Sequence, residues 1–309
     1  MVSIIIPTCN RPKTLLKVID SYLCQEHIRE LIIVNDGSTL SYDEVISVIR
    51  DKAARKNIDV IYLKNEVKMG AGAARNIGLA KARAEYILWG EDDLQLRYDY
   101  VKTLLKKQPQ KQICFGTIIY DCLTSCSKGF DVDLQKRKEE QNNHKIPLFN
   151  YKTLEGYYRF HGIEDRYVPY GHAIILVKRS FYGRQIYCED YEVNGYREET
   201  DAQVKMGMVG IPILYTTDTE CYHLKKELVE KYGGQHSVGV LRHTYYRIKN
   251  NNRFINRYYN YFVKWAKEDG ERIMSKQGLK LYYIGHMASD LAMIAYKKIR
   301  QGRKKECRE

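Results

Sequence analysis

Short β-branched runs alternate with helical periodicity through the first ninety residues. Val2 to Ile6 is continuously apolar, the pattern of a strand buried on both faces of a parallel sheet. PTCNRP ends that run, and Pro12 suits a first helical turn with Asn10 as its cap. Leu15, Leu16, Ile19, Tyr22 and Leu23 then recur at helical spacing. Leu31 to Val34 repeats the apolar run and closes in Asn35, Asp36, Gly37 and Ser38, after which Ser41 with Glu44 predicts a capping box. Ile58 to Leu63 predicts a third strand, AGAARNIGLAKARA a third helix, and Tyr86 to Trp89 a fourth strand. This alternation predicts an α/β fold, a doubly wound parallel sheet with right-handed crossovers and helices on both faces.

The pattern loosens further on. Gln112 to Ile119 and His172 to Val177 predict strands, while Asp121 to Lys145 is polar and predicts an inserted loop, either surface or a lid over an acceptor. Glu198, Glu199 and Asp201 open a helix that Gly207 and Gly210 close, and Ile211 to Tyr215 returns as a strand. Beyond Leu224 a short helix over Glu227 to Tyr232 and an amphipathic stretch over Ile273 to Ile299 predict a helical C-terminal extension. The expected organisation is one α/β domain over 1–224, with halves 1–95 and 96–224, followed by a mainly helical region over 225–309.

Composition changes the picture in two places. The 309 residues are 44% hydrophobic, enough for a sizeable core, and no run approaches the roughly 18 apolar residues of a membrane span. With neither a basic leader nor paired zinc spacings among the eight cysteines, the expectation is reduced thiols and a cytoplasmic protein. The net charge of +13 sits mostly at the end, where residues 242–309 hold 17 basic and 6 acidic residues. Packing of that region with a basic outer face ranks first, peripheral contact with an anionic membrane second, and nucleic acid last.

Candidate chemistry gathers at strand ends, because ligands of open α/β sheets bind outside the carboxyl ends of the strands. Glu91, Asp92 and Asp93 follow the fourth strand directly, and three adjacent carboxylates call for a divalent cation or, more plainly, a solvated turn. Asp36 suits a nucleobase or ribose and equally a turn. Arg75, on the first turn of a helix whose dipole repels it, implies an anion or carboxylate beside it. Gly70 and Gly72 permit close approach to a diphosphate or to the sheet. Gly90 has no explanation in the pattern.

SIIIPTCNRPKTL, LIIVNDGS and AGAARNIGLAKARAEYILWGEDD, in that order and spacing, resemble the nucleotide-sugar-binding half of family 2 glycosyltransferases, the inverting GT-A fold. The resemblance extends over roughly residues 1 to 225. It implies that Pro7, Thr8, Asn10 and Arg11 lie against the nucleoside, that Asp36 holds the base, and that Arg75 lies near base or diphosphate. It makes Glu91, Asp92 and Asp93 the D-x-D-type motif, with Asp93 on the metal and His223 as a further ligand. EETD, followed by helix, glycine, strand and Tyr-His, is similar to the family's E-D-x-D segment, which implies Glu199 as catalytic base with Glu198 as its neighbour; the family's usual Asp is replaced, so the choice between the two stays open. The donor implied is a UDP-sugar and the acceptor a hydroxyl of a glycan or lipid-linked molecule. The cofactor is Mn2+ or Mg2+, with an imidazole ligand favouring manganese. By the same likeness the Gly171 region faces the donor sugar. A sugar-phosphate nucleotidyltransferase would need a glycine-rich basic loop after the first strand, and PTCNRPKTL contains no glycine. A non-catalytic binding protein on the same fold would be expected to have lost the acids, and all are present.

Overall fold

The structure is a computed structural model that describes residues 1–122, 148–159, 164–182, 186–191, 193–230 and 239–306. The apolar runs become strands β1 (Val2–Thr8), β2 (Ile28–Asn35), β3 (Asp59–Lys64) and β4 (Tyr86–Trp89), joined by α1 (Pro12–Leu23), α2 (Asp43–Ala54) and α3 (Ala71–Lys81). After β5 (Leu94–Leu96) and α4 (Tyr100–Lys106) come β6 (Ile113–Cys122), β7 (Phe149–Asn150), β8 (Glu155–Gly156), β9 (Arg166–Tyr167) and β10 (Leu176–Lys178). Helix α5 (Glu198–Met208), β11 (Ile213–Leu224) and two long helices, α6 (Val240–Glu268) and α7 (Lys276–Glu306), complete the order.

The main sheet runs β3-β2-β1-β4-β10-β6-β11-β5, with β9 added alongside β11. Strands β1 to β4, β6 and β11 point one way, so the sheet is mostly parallel, with β5, β9 and β10 antiparallel. Adjacent β1 residues serve opposite faces. Gly78 of α3 lies so close to Ile5 that an added Cβ would sit 2.5 Å from its Cγ2, whereas Ile6 faces Tyr22 of α1 across Gly90. That accounts for Gly90: a Cβ there would lie 2.8 Å from Ile6 and 3.1 Å from the Tyr22 ring. Helices therefore cover both faces, as the pattern predicts.

Several local expectations are corrected. Helix α2 starts one residue later than a Ser41 cap requires, and Ser41 Oγ accepts the Asp43 N–H instead (3.1 Å). Asn10 does not cap α1. It adopts φ 54° and its Oδ1 accepts the Thr39 and Leu40 amides, while Glu230, far along the chain, accepts the Thr14 N–H in the first turn of α1 (2.8 Å). The strand expected over His172 to Val177 shortens to β10, because the His172 ring takes the Ile174 N–H (3.0 Å) and competes with the ladder. Gly171, expected towards the donor sugar, abuts Phe115, where a Cβ would lie 2.6 Å from the ring. Where a short helix over Glu227 to Tyr232 is expected, the described residues hold a 3-10 turn over Lys226–Leu228, and residues 231 and 232 lie outside them. Most of the Asp121 to Lys145 insertion lies outside the described residues.

Helix α6 buries Phe254, Ile255, Tyr258 and Phe262 in the same core as the sheet, and α7 adds Leu279. No helix among the described residues is long and apolar enough to cross a membrane. At the opposite end of the sheet from the strand-end acids, Glu30 is fully buried and accepts hydrogen bonds from Ser3 Oγ, Arg83 N and Arg83 Nε, each at 2.6 Å. Burial works against the Glu30 charge, yet these donors hold its pKa below the ordinary value. A depressed folded pKa contributes stability above the unfolded value of about 4.3 that is lost as pH falls through the folded one. Glu30→Gln is expected to lower stability at neutral pH by about 1–3 kcal/mol and to flatten the acid limb of the melting curve. Thermal melts from pH 3 to 7 check this; parallel curves for the two proteins would refute it.

Candidate active site

The carboxyl ends of β1, β2, β4 and β11 open on one pocket of about 470 Å³. Pro7, Thr8, Arg11, Asp36, Arg75, Glu91, Asp92, Asp93, Glu198, Glu199 and His223 all line it. Asn10 supports the loop next to it through Thr39 and Leu40.

Arg11 turns inward. Its Nη1 bonds Asp92 Oδ1 (3.1 Å) and Asp93 Oδ2 (2.8 Å). A relay of hydroxyls orders the same corner: the Arg11 N–H donates to Tyr42 OH (2.9 Å), Tyr42 to Thr8 Oγ1 (2.8 Å), and Thr8 to Asp92 Oδ2 (2.7 Å). Burial and the charge of Asp93 raise the Asp92 pKa to about 6 against these donors. Asp92 is thus the buried, fully bonded acid of the three. Asp36 accepts the amides of Met69 and Gly70 (2.8 Å each) and Asn65 Nδ2 (3.0 Å), so it shapes the loop before α3 at the pocket wall.

Arg75 meets carboxylates. Its side chain, 2% exposed, bonds Glu198 (2.9 Å) and Glu199, and approaches Glu91 at 3.9 Å. Adjacent acids of α5 take different roles. Glu198 is buried and also accepts the Gly72 N–H (3.1 Å), with glycines at 72 and 195 leaving room for its carboxylate. Burial raises its pKa to about 8; Arg75 opposes that and Glu199 adds to it. The Glu199 side chain keeps 31% exposure and opens to the pocket.

A metal-capable cluster lines the same pocket. Glu91, Asp93 and His223 each offer a ligand atom, all within 4.8 Å of one another. Strand β5 pairs antiparallel with β11, putting His223 opposite Leu94 and hence beside Asp93, with Nε2 3.7 Å from Oδ1. The other ring nitrogen, Nδ1, is 3.0 Å from the Leu224 carbonyl, an acceptor only, so Nδ1 carries the proton and Nε2 presents a lone pair. Five carboxyl groups meet two guanidinium groups here, and Glu91 and Asp93 with His223 form a donor set that a divalent cation would fit. Oxygen and imidazole donors suit Mn2+ or Mg2+.

Sequence reasoning missed the tyrosines and one loop. Tyr22 OH accepts the Glu91 N–H (3.0 Å) and donates to the Glu91 carbonyl (3.0 Å), fixing the acid loop, yet in the sequence it is one apolar position among several. Lys68, Glu189, Tyr191 and Asn194 also line the pocket. The loop over 186–195 carries no periodicity or motif that would have marked it.

Residues 3–154 match the family described as Glycosyl transferase family 2. Glycosyltransferase GlyA of Streptococcus pneumoniae serotype 4 is 33% identical over 107 residues, 34% of this chain and 15% of that protein. The GalNAc(5)-diNAcBac-PP-undecaprenol beta-1,3-glucosyltransferase of Campylobacter jejuni subsp. jejuni is 30% identical over 129 residues, 41% of each chain. The matches thus span under half the length of these relatives. Among solved structures, S. aureus TarS 1-349 in complex with UDP superimposes with a TM-score of 0.50 at 15% identity, covering 82% of this chain and 72% of that one. That likeness is one of fold, the GT-A type expected. Sheet order and strand-end acids agree with the match over residues 3–154, a stretch that is similar to glycosyl transferase family 2.

Proposed function

We propose that the chain moves a sugar, with inversion, from a UDP-linked donor to a hydroxyl of a glycan or lipid-linked acceptor. One observation carries this reading: Glu199 opens to the same pocket that Glu91, Asp93 and His223 line. The UDP bound in the TarS structure and the PP-undecaprenol acceptor for which the Campylobacter relative is named support the substrate classes. The basic C-terminal region fits peripheral contact with anionic lipid at the cytoplasmic face of a membrane.

Glu91, Asp93 and His223 would hold a divalent cation, which would supply positive charge to the departing diphosphate. Glu199 takes the proton of the acceptor hydroxyl as that oxygen bonds the anomeric carbon and the carbon–phosphate oxygen bond breaks on the opposite face. Arg75 orients the Glu199 carboxylate through their ion pair. Glu198 is set aside as base: its oxygens are taken by Arg75 and the Gly72 amide. Pro7 to Arg11, Asp36 and the loop before α3 frame the space for the nucleoside.

Three outcomes test this. UDP with Mn2+ should raise the melting temperature more than either alone, and Asp93→Ala should remove the metal-dependent part; an unchanged shift in the variant would sink the metal assignment. Glu199→Gln should slow transfer by about 10²–10⁴-fold, measured as UDP released, while keeping the UDP-dependent shift. Full turnover in that variant would move the base elsewhere. Co-sedimentation should be strong with vesicles rich in anionic lipid and should weaken as salt rises. Equal binding to neutral vesicles would argue against an electrostatic contact.

A further inference from the structure

We propose that Tyr120 is a positioning residue that holds the His223 imidazole in the plane from which Nε2 reaches the cation cluster. The inference rests on the metal reading of Glu91, Asp93 and His223 and deepens it. Strands β6 and β11 pair in parallel, with Ile119 opposite Tyr222 and then Cys122 opposite Leu224. Two residues of β6, Tyr120 and Asp121, therefore stand against His223 alone. Such a bulge breaks the regular pleat and re-aims the side chains beside it. It lies at the carboxyl end of both strands, where the pocket opens.

The rings show what the bulge achieves. Tyr120 stacks on His223 with centroids 5.5 Å apart and planes 23° from parallel. On Tyr120 itself the Arg159 guanidinium lies 4.2 Å from the ring centroid. The imidazole has two rotational freedoms to lose before its nitrogen can ligate. The Leu224 carbonyl selects the tautomer by accepting a hydrogen bond from Nδ1–H, and a flat neighbour restricts rotation about the Cβ–Cγ bond. Turned by half a revolution, the ring would present Cδ2 and Nδ1 in place of each other and lose the Nε2 approach to Asp93. Groups that orient a ligating histidine in this way typically change metal affinity by about 10–100-fold when removed. The aromatic face, not the hydroxyl, performs this task, so phenylalanine should replace tyrosine and an aliphatic side chain of similar bulk should not.

Mn2+ titration followed by the electron paramagnetic resonance of the free ion, with and without UDP, reads this without turnover. Tyr120→Phe should bind Mn2+ within about twofold of the unmodified chain, and Tyr120→Leu about 10–100-fold more weakly. His223→Ala should lose at least as much, and adding Tyr120→Leu to it should lose little more, because the two act through one ligand. Cation-free melting temperatures identify any variant whose loss is one of folding, and the Phe variant keeps the comparison open in that case. Full Mn2+ affinity in Tyr120→Leu, beside a His223→Ala variant that has lost it, overturns the role of Tyr120. Undiminished affinity in His223→Ala overturns His223 as a ligand, and the role of Tyr120 with it.

Discussion

A single buried guanidinium, that of Arg75, holds together acids from parts of the chain more than a hundred residues apart. It sits at the start of the second turn of α3, near the positive end of the helix dipole, and is buried. Burial opposes its charge, but Glu199, Tyr187 and Glu198 more than offset that, and its pKa stands above the ordinary value. The reverse dependence is as strong. Without Arg75, Glu198 and Glu199 would meet Glu91 as bare like charges in a desolvated pocket, the arrangement that breaking a buried ion pair makes most destabilising. The mutual placement of Glu91, Glu198 and Glu199 rests on this one group.

The second half of the chain is organised to deliver α5 to that contact. Arg197, just before α5, takes φ 78° and buries its guanidinium against the Thr153 and Leu154 carbonyls, Tyr170 OH and Asn251 Oδ1. One turn into the helix, fully buried Asp201 accepts Tyr191 OH (2.9 Å) and Tyr258 OH (2.6 Å). Asn251 and Tyr258 belong to α6, so the C-terminal helix helps to orient the first turn that carries Glu198 and Glu199. On the other side, Glu230 continues from β11 to cap α1, tying the strand of His223 to the loop of Arg11. The pocket is closed by long-range polar contacts on rigid elements, which suits a site that must keep opposing charges in register.

Legibility along the chain followed burial. Strands β1 and β2 are covered on both faces, so their apolar runs are continuous and their ends unambiguous; the acids, Asp36 and Arg75 could be placed at one edge from those ends alone. The reading weakened where side chains bond their own backbone. Asn10 and Ser41 have the composition of caps but serve neighbouring loops, and His172 shortens β10 by taking an amide the ladder would have used. Tyr22 was hidden because a tyrosine at a helical apolar position looks the same whether or not its hydroxyl fixes a loop, and Tyr42, just before α2, belonged to no periodic pattern.

The chain order of apolar runs and strand-end residues by itself determined the α/β class, the carboxyl-edge location of the site, and the need of Glu91, Asp92, Asp93 and Arg75 for partners of opposite charge. Those properties depend on residue type and local period. Which partner each found was decided by tertiary structure. Arg75 could have met a phosphate and met Glu198, Glu199 and Glu91; His223 reaches Asp93 through the β5–β11 register. Glu198 and Glu199 are neighbours in sequence, yet successive residues of a helix point about 100° apart. Only the docking of α5 through Arg197 and Asp201 turned one into the wall and left the other facing the pocket.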